Sequence, residues 1–239
     1  MSQNPLHLIP FLFCLLALSN LSFATHPTSQ RAQKAITQVT PQLEKALEKR
    51  QLSLGSPVLM RILKEEGQLE VWVKGKYRFE FFKAYPICYF SGKLGPKVKQ
   101  GDHQSPEGFY SVSANQLNPH SSYHLSFNLG YPNAYDRAHG RTGSALMVHG
   151  SCVSIGCYAM TDTQIEEIYA LADAALRNGQ QHFQVQALPF RLTEKNLEKH
   201  KDSSWIDFWR NLKEGYDIFE QQRLPPKVWV ENKRYRFQQ

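Results

Sequence analysis

Two residues near the middle of the chain have side chains suited to nucleophilic catalysis. An apolar strand pattern over residues 144–148 ends at His149, and a short loop leads from there to Cys157. A thiol becomes an effective nucleophile when it loses its proton, and an imidazole within hydrogen-bond reach can accept that proton. Because the loop is short enough to bring its two ends together, the segment predicts Cys157 as a nucleophile and His149 as its base.

The residues beside Cys157 fit the same chemistry. Gly156 has no side chain, so a substrate can approach the main chain closely, and Ser154 lies in the same loop. The main-chain N–H groups of Gly156 and Cys157 are candidates to face the oxygen that becomes negative during acyl transfer, which is one of the larger catalytic contributions. We therefore assign Ser154 and Gly156 to the loop that forms the oxyanion site.

Two other interpretations of this segment stay open. A buried cysteine often packs as a small apolar side chain, and a histidine close to it in sequence is often unrelated. His149, Cys152 and Cys157 also offer three ligands for zinc, but the interval between the two cysteines is loose for a zinc site, and no second histidine follows closely. We therefore expect no metal.

The first residues of the chain have the layout of a secretory signal peptide. Residues 8–18 are almost wholly apolar, and small residues precede a cleavage site after Ala24. A run of this length is too short to cross the ~30 Å hydrocarbon core of a bilayer as a helix. Because no Lys or Arg precedes the run, a retained N-terminal anchor is the alternative. We expect residues 1–24 to be cleaved and the exported chain to have no membrane span.

The charge of the chain favours an anionic partner. The formal net charge is +7, and the signal segment contributes nothing to it. After export, this charge favours an envelope polymer or an acidic peptide. Nucleic acid is not expected, because a secreted chain seldom meets it and the basic residues are scattered along the sequence. A diffusely basic surface with no specific partner is the alternative.

Export also changes the number of cysteines. Once Cys14 is removed with the signal segment, Cys88, Cys152 and Cys157 remain. Three cysteines are too few for a disulfide scaffold of this size, and an odd thiol in an oxidising compartment is either a liability or functional. We expect Cys88 and Cys152 to pair with each other or to stay buried, and Cys157 to be the essential thiol.

The hydrophobic pattern predicts an α+β chain with a β-rich centre and helices at both ends. A helix over residues 28–54, broken at Pro41, precedes a β-meander over residues 58–82. A capped helix begins near Thr161, and aromatic residues at helical spacing predict a core-facing helix over residues 205–219. The predicted divisions are a signal peptide, an N-terminal helical segment, a catalytic domain and a C-terminal helix and strand extension: residues 1–24, 25–56, 57–190 and 191–239.

Three elements in the same order resemble the YkuD-type L,D-transpeptidase family. His149-Gly150 at a strand end is followed by Ser-Ile-Gly-Cys at residues 154–157, which matches the family signature. The sequence Ser-Pro-Glu-Gly-Phe-Tyr at residues 105–110 matches an earlier family element, and the meander with residues 91–96 fits the family's opening strands. The resemblance covers roughly residues 58–185 and leaves both ends of the chain outside it.

The resemblance implies a reaction and a location. Cys157 would be acylated by the stem peptide of peptidoglycan at diaminopimelate, forming a thioester, with His149 as the base. The main-chain carbonyl group of Gly150 or of a neighbouring residue would orient the imidazole. The implied fold is the β-rich L,D-transpeptidase type, the implied compartment is the periplasm, and no cofactor is implied.

Two departures from the common family pattern resemble its YafK-type branch. The loop between His149 and Cys157 is shorter than usual, and Tyr158-Ala159-Met160 stands where cross-linking members carry an arginine. That branch is associated with detaching the outer-membrane lipoprotein from diaminopimelate, so the predicted reaction is hydrolysis of that linkage. Cross-linking of stem peptides, or attachment of the lipoprotein, is the alternative. A non-catalytic peptidoglycan-binding module is the alternative from another class.

Candidate substrate contacts lie on both sides of the catalytic strand. Tyr131, Arg137 and His139 belong to a polar segment that precedes it, and Tyr158 follows the nucleophile directly. Arg137 can pair with a carboxylate of the stem peptide, and His139 can line the cleft. Ordinary loop structure is the alternative for each of these residues.

Overall fold

The structure, a computed structural model, describes residues 26–239, so the predicted signal peptide lies outside the described residues. The helices are α1 (Gln30–Glu48), α2 (Ala134–Ala138), α3 (Asp162–Arg177), α4 (Glu194–Lys199) and α5 (Ile206–Gln222). The strands are β1 (Val58–Leu63), β2 (Gln68–Lys74), β3 (Phe79–Pro86), β4 (Tyr89–Phe90), β5 (Gly108–Ser113), β6 (Leu117–Asn118), β7 (Ser126–Asn128), β8 (Met147–His149), β9 (Tyr158–Ala159), β10 (His182–Leu188), β11 (Lys227–Glu231) and β12 (Arg234–Gln238).

Two five-stranded sheets form the centre of the molecule. The first has the order β3-β2-β1-β10-β5, and β1 runs parallel to β10 and antiparallel to β2. All six residues of β1 are buried, as is typical of a central strand rich in apolar residues. The second sheet has the order β4-β9-β8-β7-β6. One large apolar cluster contains residues of both sheets together with residues of α1 and α3.

Helix α1 is continuous through Pro41, where the sequence predicts a break. A proline inside a helix removes one main-chain hydrogen bond and crowds the preceding turn. The apolar face of α1 compensates, because it is buried against α3, and each fully buried aliphatic side chain contributes about 1.5–3 kcal/mol. The residues of that face are Ala32, Ala35, Val39, Leu43 and Leu47.

The C-terminal part of the chain packs on the first sheet. The aromatic face of α5 is buried in a second apolar cluster, which also holds Leu63 of β1, Phe109 of β5 and Tyr235 of β12. This is the core-facing helix that the sequence predicts. The hairpin of β11 and β12 contacts the same cluster through Val228 and Val230.

The second sheet carries the segment of interest. Strand β8 pairs antiparallel with β7 and parallel with β9, and the register aligns His149 with Ala159. His149 therefore ends β8, and Cys157 immediately precedes β9. The residues between them form the loop that turns back from one strand to the next, which we call the catalytic loop (residues 150–157). Across residues 26–239, no helix is both long and apolar enough to span a bilayer.

Candidate active site

The imidazole of His149 is held in one orientation. Its Nδ1 lies 2.6 Å from the main-chain carbonyl oxygen of Gly150. A carbonyl oxygen can only accept a hydrogen bond, so Nδ1 carries the proton in neutral imidazole and Nε2 keeps its lone pair. The ring of Tyr123 lies against the imidazole, with 4.7 Å between ring centroids. Nε2 is thus the ring nitrogen that remains able to accept a proton.

The thiol of Cys157 is the free one among the cysteines that the structure describes. Its Sγ accepts a hydrogen bond from the main-chain N–H of Met147 at 3.4 Å and lies 3.7 Å from the carbonyl oxygen of Ala145. Both partners belong to the strand that leads to His149 or to the residues before it. Cys157 and His149 line the same cleft, where the thiol and the imidazole form no direct hydrogen bond.

Burial keeps both groups uncharged. It lowers the pKa of His149 below its usual 6.5, although the hydrogen bond to Gly150 opposes this shift. Burial also raises the pKa of Cys157 above 9.0, and the Met147 N–H and the charge of Lys97 oppose that shift. Burial therefore favours a neutral imidazole and a neutral thiol, so an attack by this thiol would need a group that takes its proton.

The catalytic loop is fixed at several points. Gly150 donates its N–H to the carbonyl oxygens of Tyr123 and Leu125 at 3.0 and 3.1 Å. A side chain is excluded here, because a Cβ on Gly150 would lie 2.6 Å from Oδ1 of Asp162. That same Oδ1 accepts the N–H of Ser151 at 2.8 Å. These contacts hold the carbonyl group of Gly150 where it orients the imidazole.

A disulfide joins Cys152 of the catalytic loop to Cys88, with 5.3 Å between the Cα atoms. Of the two outcomes expected for these cysteines, pairing with each other is the one present in the structure. Ser151 and Cys152 both have positive φ, at 66° and 53°, a conformation that is uncommon for residues other than glycine. The disulfide and the hydrogen bond from Cys152 N–H to the carbonyl oxygen of Met160, at 3.2 Å, hold this turn in place.

The structure gives Ser154 and Gly156 different contacts from those of a simple oxyanion pair. Ser154 Oγ donates to the carbonyl oxygen of Cys157 at 2.8 Å and accepts the N–H of Gly156 at 3.1 Å. The Gly156 N–H is therefore engaged within the loop in this structure. Gly156 has a φ of +146°, and a Cβ there would touch Leu146 at 3.4 Å. Both residues line the cleft beside Cys157.

The cleft around Cys157 has a volume of about 620 Å³ and one fixed cation. Lys97 lines it and forms an ion pair with Asp102, with 2.5 Å between Nζ and Oδ1. The outer wall is apolar, because Val153 and Ile155 are 55% and 76% exposed and both line the cleft. Exposed apolar side chains at the mouth of a cleft are typical of a site that a ligand covers.

Two of the predicted substrate contacts are buried side chains. Tyr158 is fully buried, and its hydroxyl donates to the carbonyl oxygen of Pro106 at 2.6 Å. Tyr131 is 5% exposed, and its hydroxyl lies 3.3 Å from the carbonyl oxygen of Lys97. The prediction that Tyr158 contacts substrate directly needs correction, because its position after Cys157 turns it into the core. Tyr131 supports the main chain at Lys97 instead.

Arg137 and His139 do not line the cleft of Cys157. Arg137 donates to the carbonyl oxygen of Pro132 and lines a separate groove beside the C-terminal hairpin. His139 stacks on Tyr135, with 4.3 Å between centroids, and its Nε2 lies 2.8 Å from the carbonyl oxygen of Lys233. The prediction that His139 lines the cleft therefore needs correction. The physical reason is that α2 turns both side chains towards the C-terminal hairpin.

The zinc alternative does not fit the described residues. Cys152 is bonded to Cys88, so it has no thiolate to offer a metal. Within residues 26–239, no group of three or more His, Cys, Asp and Glu side chains is arranged to hold an ion.

Sequence reasoning missed several residues of the site. Tyr123 lies against the imidazole, Lys97 lines the same cleft as the thiol, and Asp162 anchors the loop. Asp162 begins α3, so its position at a helix start is the one sequence feature that could have marked it. Tyr123 and Lys97 lie in loops whose position depends on the whole fold.

A family model and two curated proteins match most of the chain. The L,D-transpeptidase catalytic domain family, YkuD, matches residues 60–215. The Escherichia coli K12 protein named "Putative L,D-transpeptidase YafK" is 54% identical over 188 residues, which cover 79% of this chain and 76% of that protein. The protein of the same name from Escherichia coli O157:H7 shows the same values.

Solved structures give weaker likenesses. The helical cell shape determining protein Pgp2 from Campylobacter jejuni is 17% identical, with a TM-score of 0.44 and coverage of 80% of both chains. L,D-transpeptidase 1 from Mycobacterium tuberculosis is 15% identical, with a TM-score of 0.31 and coverage of 55% of this chain and 61% of that one.

Proposed function

Since the chain belongs to the YkuD family of L,D-transpeptidase catalytic domains, we propose that it is a peptidoglycan enzyme that uses Cys157 as its nucleophile and His149 as its base. The observation that carries this proposal is the free thiol of Cys157 in one cleft with a neutral imidazole whose Nε2 is left as a proton acceptor. A non-catalytic binding module has no need for either feature.

The proposed reaction proceeds through a thioester. Sγ of Cys157 attacks the carbonyl carbon of diaminopimelate in the stem peptide while Nε2 of His149 takes the thiol proton. The amide C–N bond breaks, and the imidazolium returns the proton to the leaving amine. Water then attacks the thioester carbonyl carbon while Nε2 accepts one of its protons. The C–S bond breaks, the imidazolium returns the proton to sulfur, and diaminopimelate leaves with a free carboxyl group.

We propose that the bond cut is the linkage between diaminopimelate and the outer-membrane lipoprotein. The 54% identity to YafK over most of the chain supports placing this protein in the YafK branch. The cleft supports hydrolysis over transfer, because none of the described residues that line it is an arginine. A second stem peptide therefore lacks a bidentate partner for its carboxylate, and positioning is a large part of the rate of a two-substrate transfer.

The proposed location is the periplasm. The signal-like segment at residues 1–24 and the net charge of +7 support export to a compartment that holds an anionic polymer. The disulfide between Cys88 and Cys152 also supports an oxidising compartment. The partners are then peptidoglycan stem peptides and the lipoprotein that is linked to them.

A competition between the two acceptors tests the choice of reaction. Purified protein is incubated with lipoprotein-linked muropeptides and free acceptor stem peptides together, and products are identified over time by mass spectrometry. We expect release of the linked peptide with few cross-linked dimers. Accumulation of dimers while the linked peptide stays attached would replace hydrolysis with transfer. The absence of any product with folded enzyme would favour the binding-module alternative.

A further inference from the structure

Two serines from separate segments contact the main-chain carbonyl oxygen of Cys157, and a third serine contacts both of them. Ser105 Oγ lies 2.9 Å and Ser154 Oγ 2.8 Å from its oxygen. Ser91 joins them, because its N–H donates to Ser105 Oγ at 3.1 Å and its hydroxyl lies 3.2 Å from Ser154 Oγ. Ser105 is fully buried and Ser91 is 4% exposed. A buried polar cluster of this kind is fixed in geometry when all its members are satisfied.

The direction of each hydrogen bond follows from the number of protons available. A serine hydroxyl has one proton, and a carbonyl oxygen can only accept. Ser105 and Ser154 therefore both donate their hydroxyl hydrogen bond to the carbonyl oxygen of Cys157. Ser154 Oγ must then accept from Ser91, as well as from the N–H of Gly156 at 3.1 Å. The arrangement has one consistent set of donors, so it holds the peptide group of Cys157 in one orientation.

The thiol depends on that orientation because its own contacts are weak. The hydrogen bond from Met147 N–H to Sγ is 3.4 Å long, and the contact with the Ala145 carbonyl oxygen is 3.7 Å long. We propose that Ser105 is a positioning residue that fixes the main chain of Cys157 and thereby places its thiol for attack. This inference deepens the proposed function and rests on Cys157 being the nucleophile.

A buried ion pair supports Ser105 from behind. Nζ of Lys64 donates to the carbonyl oxygen of Ser105 at 2.6 Å and lies 3.1 Å from Oε1 of Glu107. The other carboxylate oxygen of Glu107 accepts Nε1–H of Trp209 at 2.8 Å. Lys64 and Glu107 are 1% and 0% exposed. Charges buried to this degree stay in place only when they are paired and hydrogen-bonded. The ion pair therefore holds the main chain of Ser105 in a fixed position.

The test compares variants at Ser105 with a matched serine elsewhere. Ser105→Ala removes one of the two donors to Cys157, whereas Ser105→Thr keeps the hydroxyl. Ser113→Ala is the control, because Ser113 is a partly buried serine whose hydroxyl donates to Gln116 at 3.0 Å and does not touch Cys157. Each variant is assayed for kcat and KM on linked muropeptides. The rate at which iodoacetamide alkylates Cys157 is measured against pH.

We expect Ser105→Ala to lower kcat by about 10²-fold, the order of loss that a misplaced reacting group causes, with KM unchanged. A displaced thiol also loses the N–H of Met147, which favours the thiolate, so the pH midpoint of alkylation should move upward. Ser105→Thr should restore both values, and Ser113→Ala should leave both at the wild-type level.

Specific results for the Ser105 variants would contradict the positioning role. Wild-type kcat and an unmoved alkylation midpoint in folded Ser105→Ala would overturn the inference. If Ser105→Ala does not fold, Ser91→Ala decides, because it removes the donor to Ser154 and should shift both readouts in the same direction by less. If the wild-type protein shows no turnover, that result counts against the proposed function and not against the role of Ser105. In that case the pH midpoint of Cys157 alkylation still measures the effect of Ser105→Ala.

Discussion

The two central residues are both uncharged before substrate arrives. Burial lowers the pKa of His149 and raises that of Cys157, which favours the neutral pair over an ion pair of thiolate and imidazolium. The Nδ1–H contact with Gly150 leaves Nε2 free to accept a proton. In the proposed mechanism, proton removal by His149 is therefore part of the rate of acylation rather than a step completed beforehand.

The variant His149→Asn tests this at the level of one side chain. We expect its rate to fall by roughly 10²–10⁴-fold, as for a lost general base, with little change in the free energy of unfolding. His139→Asn is the matched control, because His139 stacks on Tyr135 away from the cleft. A large loss of stability with near-normal specific activity in His149→Asn would contradict the assignment and indicate a packing role.

The pH dependence of kcat/KM follows from the same shifts. In the proposed mechanism, His149 acts as a base only when neutral. Burial lowers its pKa from the usual 6.5, so the acid limb of activity should be centred below that pH. Burial raises the pKa of the Cys157 thiol, so no rise in activity from thiol ionisation is expected around neutral pH. A series of kcat/KM values from pH 4 to 9 checks this. An acid limb centred above pH 6.5 would contradict it.

The sequence alone predicts the positions of some site residues and not those of others. His149 and Cys157 could be predicted because strand, loop and motif lie within one short segment. The contact of Ser105 with Cys157 joins residues 52 positions apart in the chain, so no local pattern predicts it. The catalytic roles of His149 and Cys157 stay predictions until the variants are measured.

At the scale of elements, the catalytic loop is the part that must stay rigid. It carries two residues with positive φ, Ser151 and Cys152, and the disulfide from Cys152 to Cys88 ties it to the segment between β3 and β4. The hydrogen bond of Ser151 N–H with Asp162 ties it to the start of α3. The loop is therefore held both by the segment before β4 and by the start of α3.

Removal of the disulfide should weaken the fold measurably. The double variant Cys88→Ser with Cys152→Ser removes the cross-link between two residues whose sequence separation is 64. We expect it to lower the free energy of unfolding by about 2–4 kcal/mol. Urea denaturation measures it, and the wild type with reductant is the control, which should unfold like the variant. Identical unfolding free energies for oxidised wild type and the variant would show that the bond does not constrain the chain.

Elements were predicted unevenly for physical reasons. The meander of β1 to β3 and the aromatic face of α5 follow from local periodicity, which the structure keeps. The break expected at Pro41 does not occur, because packing of α1 against α3 outweighs the cost of one lost hydrogen bond. The position of His139 involves Lys233 of a hairpin far along the chain, which local sequence does not reveal.

For the whole molecule, the C-terminal extension is part of the support of the site. Trp209 of α5 donates to Glu107, which belongs to the segment that also holds Ser105. Tyr235 of β12 accepts the N–H of Phe109 at 3.3 Å. The family match also continues to residue 215, inside α5. The C-terminal extension therefore packs against the segment that contains Ser105.

Replacement of Trp209 tests this link. Trp209→Phe keeps most of the ring but removes the donor to the buried carboxylate of Glu107, so we expect a loss of about 1–3 kcal/mol in the free energy of unfolding. Trp229→Phe is the control, because Trp229 is 41% exposed, and its change should stay within about 0.5 kcal/mol. Equal changes in the two variants, measured by urea denaturation, would contradict the proposed support.

The sequence predicts the fold class more accurately than it predicts the geometry of the site. The α+β fold of L,D-transpeptidase type is confirmed by the family match and by the two mixed sheets of the structure. The membership in the YkuD family and its YafK branch is confirmed as well. The predicted substrate contacts were less accurate, since Tyr158 is in the core and His139 faces the C-terminal hairpin.

Detection of an acyl group on Cys157 tests the central claim most directly. Enzyme is mixed with lipoprotein-linked muropeptide, quenched in acid at short times, and examined by intact-protein mass spectrometry and peptide mapping, with Cys157→Ala in parallel. The mechanism predicts a transient mass increase located on the peptide that contains Cys157, together with released linked peptide, and neither of these in the variant. Product release at the wild-type rate from folded Cys157→Ala, or an adduct on another residue, would contradict it.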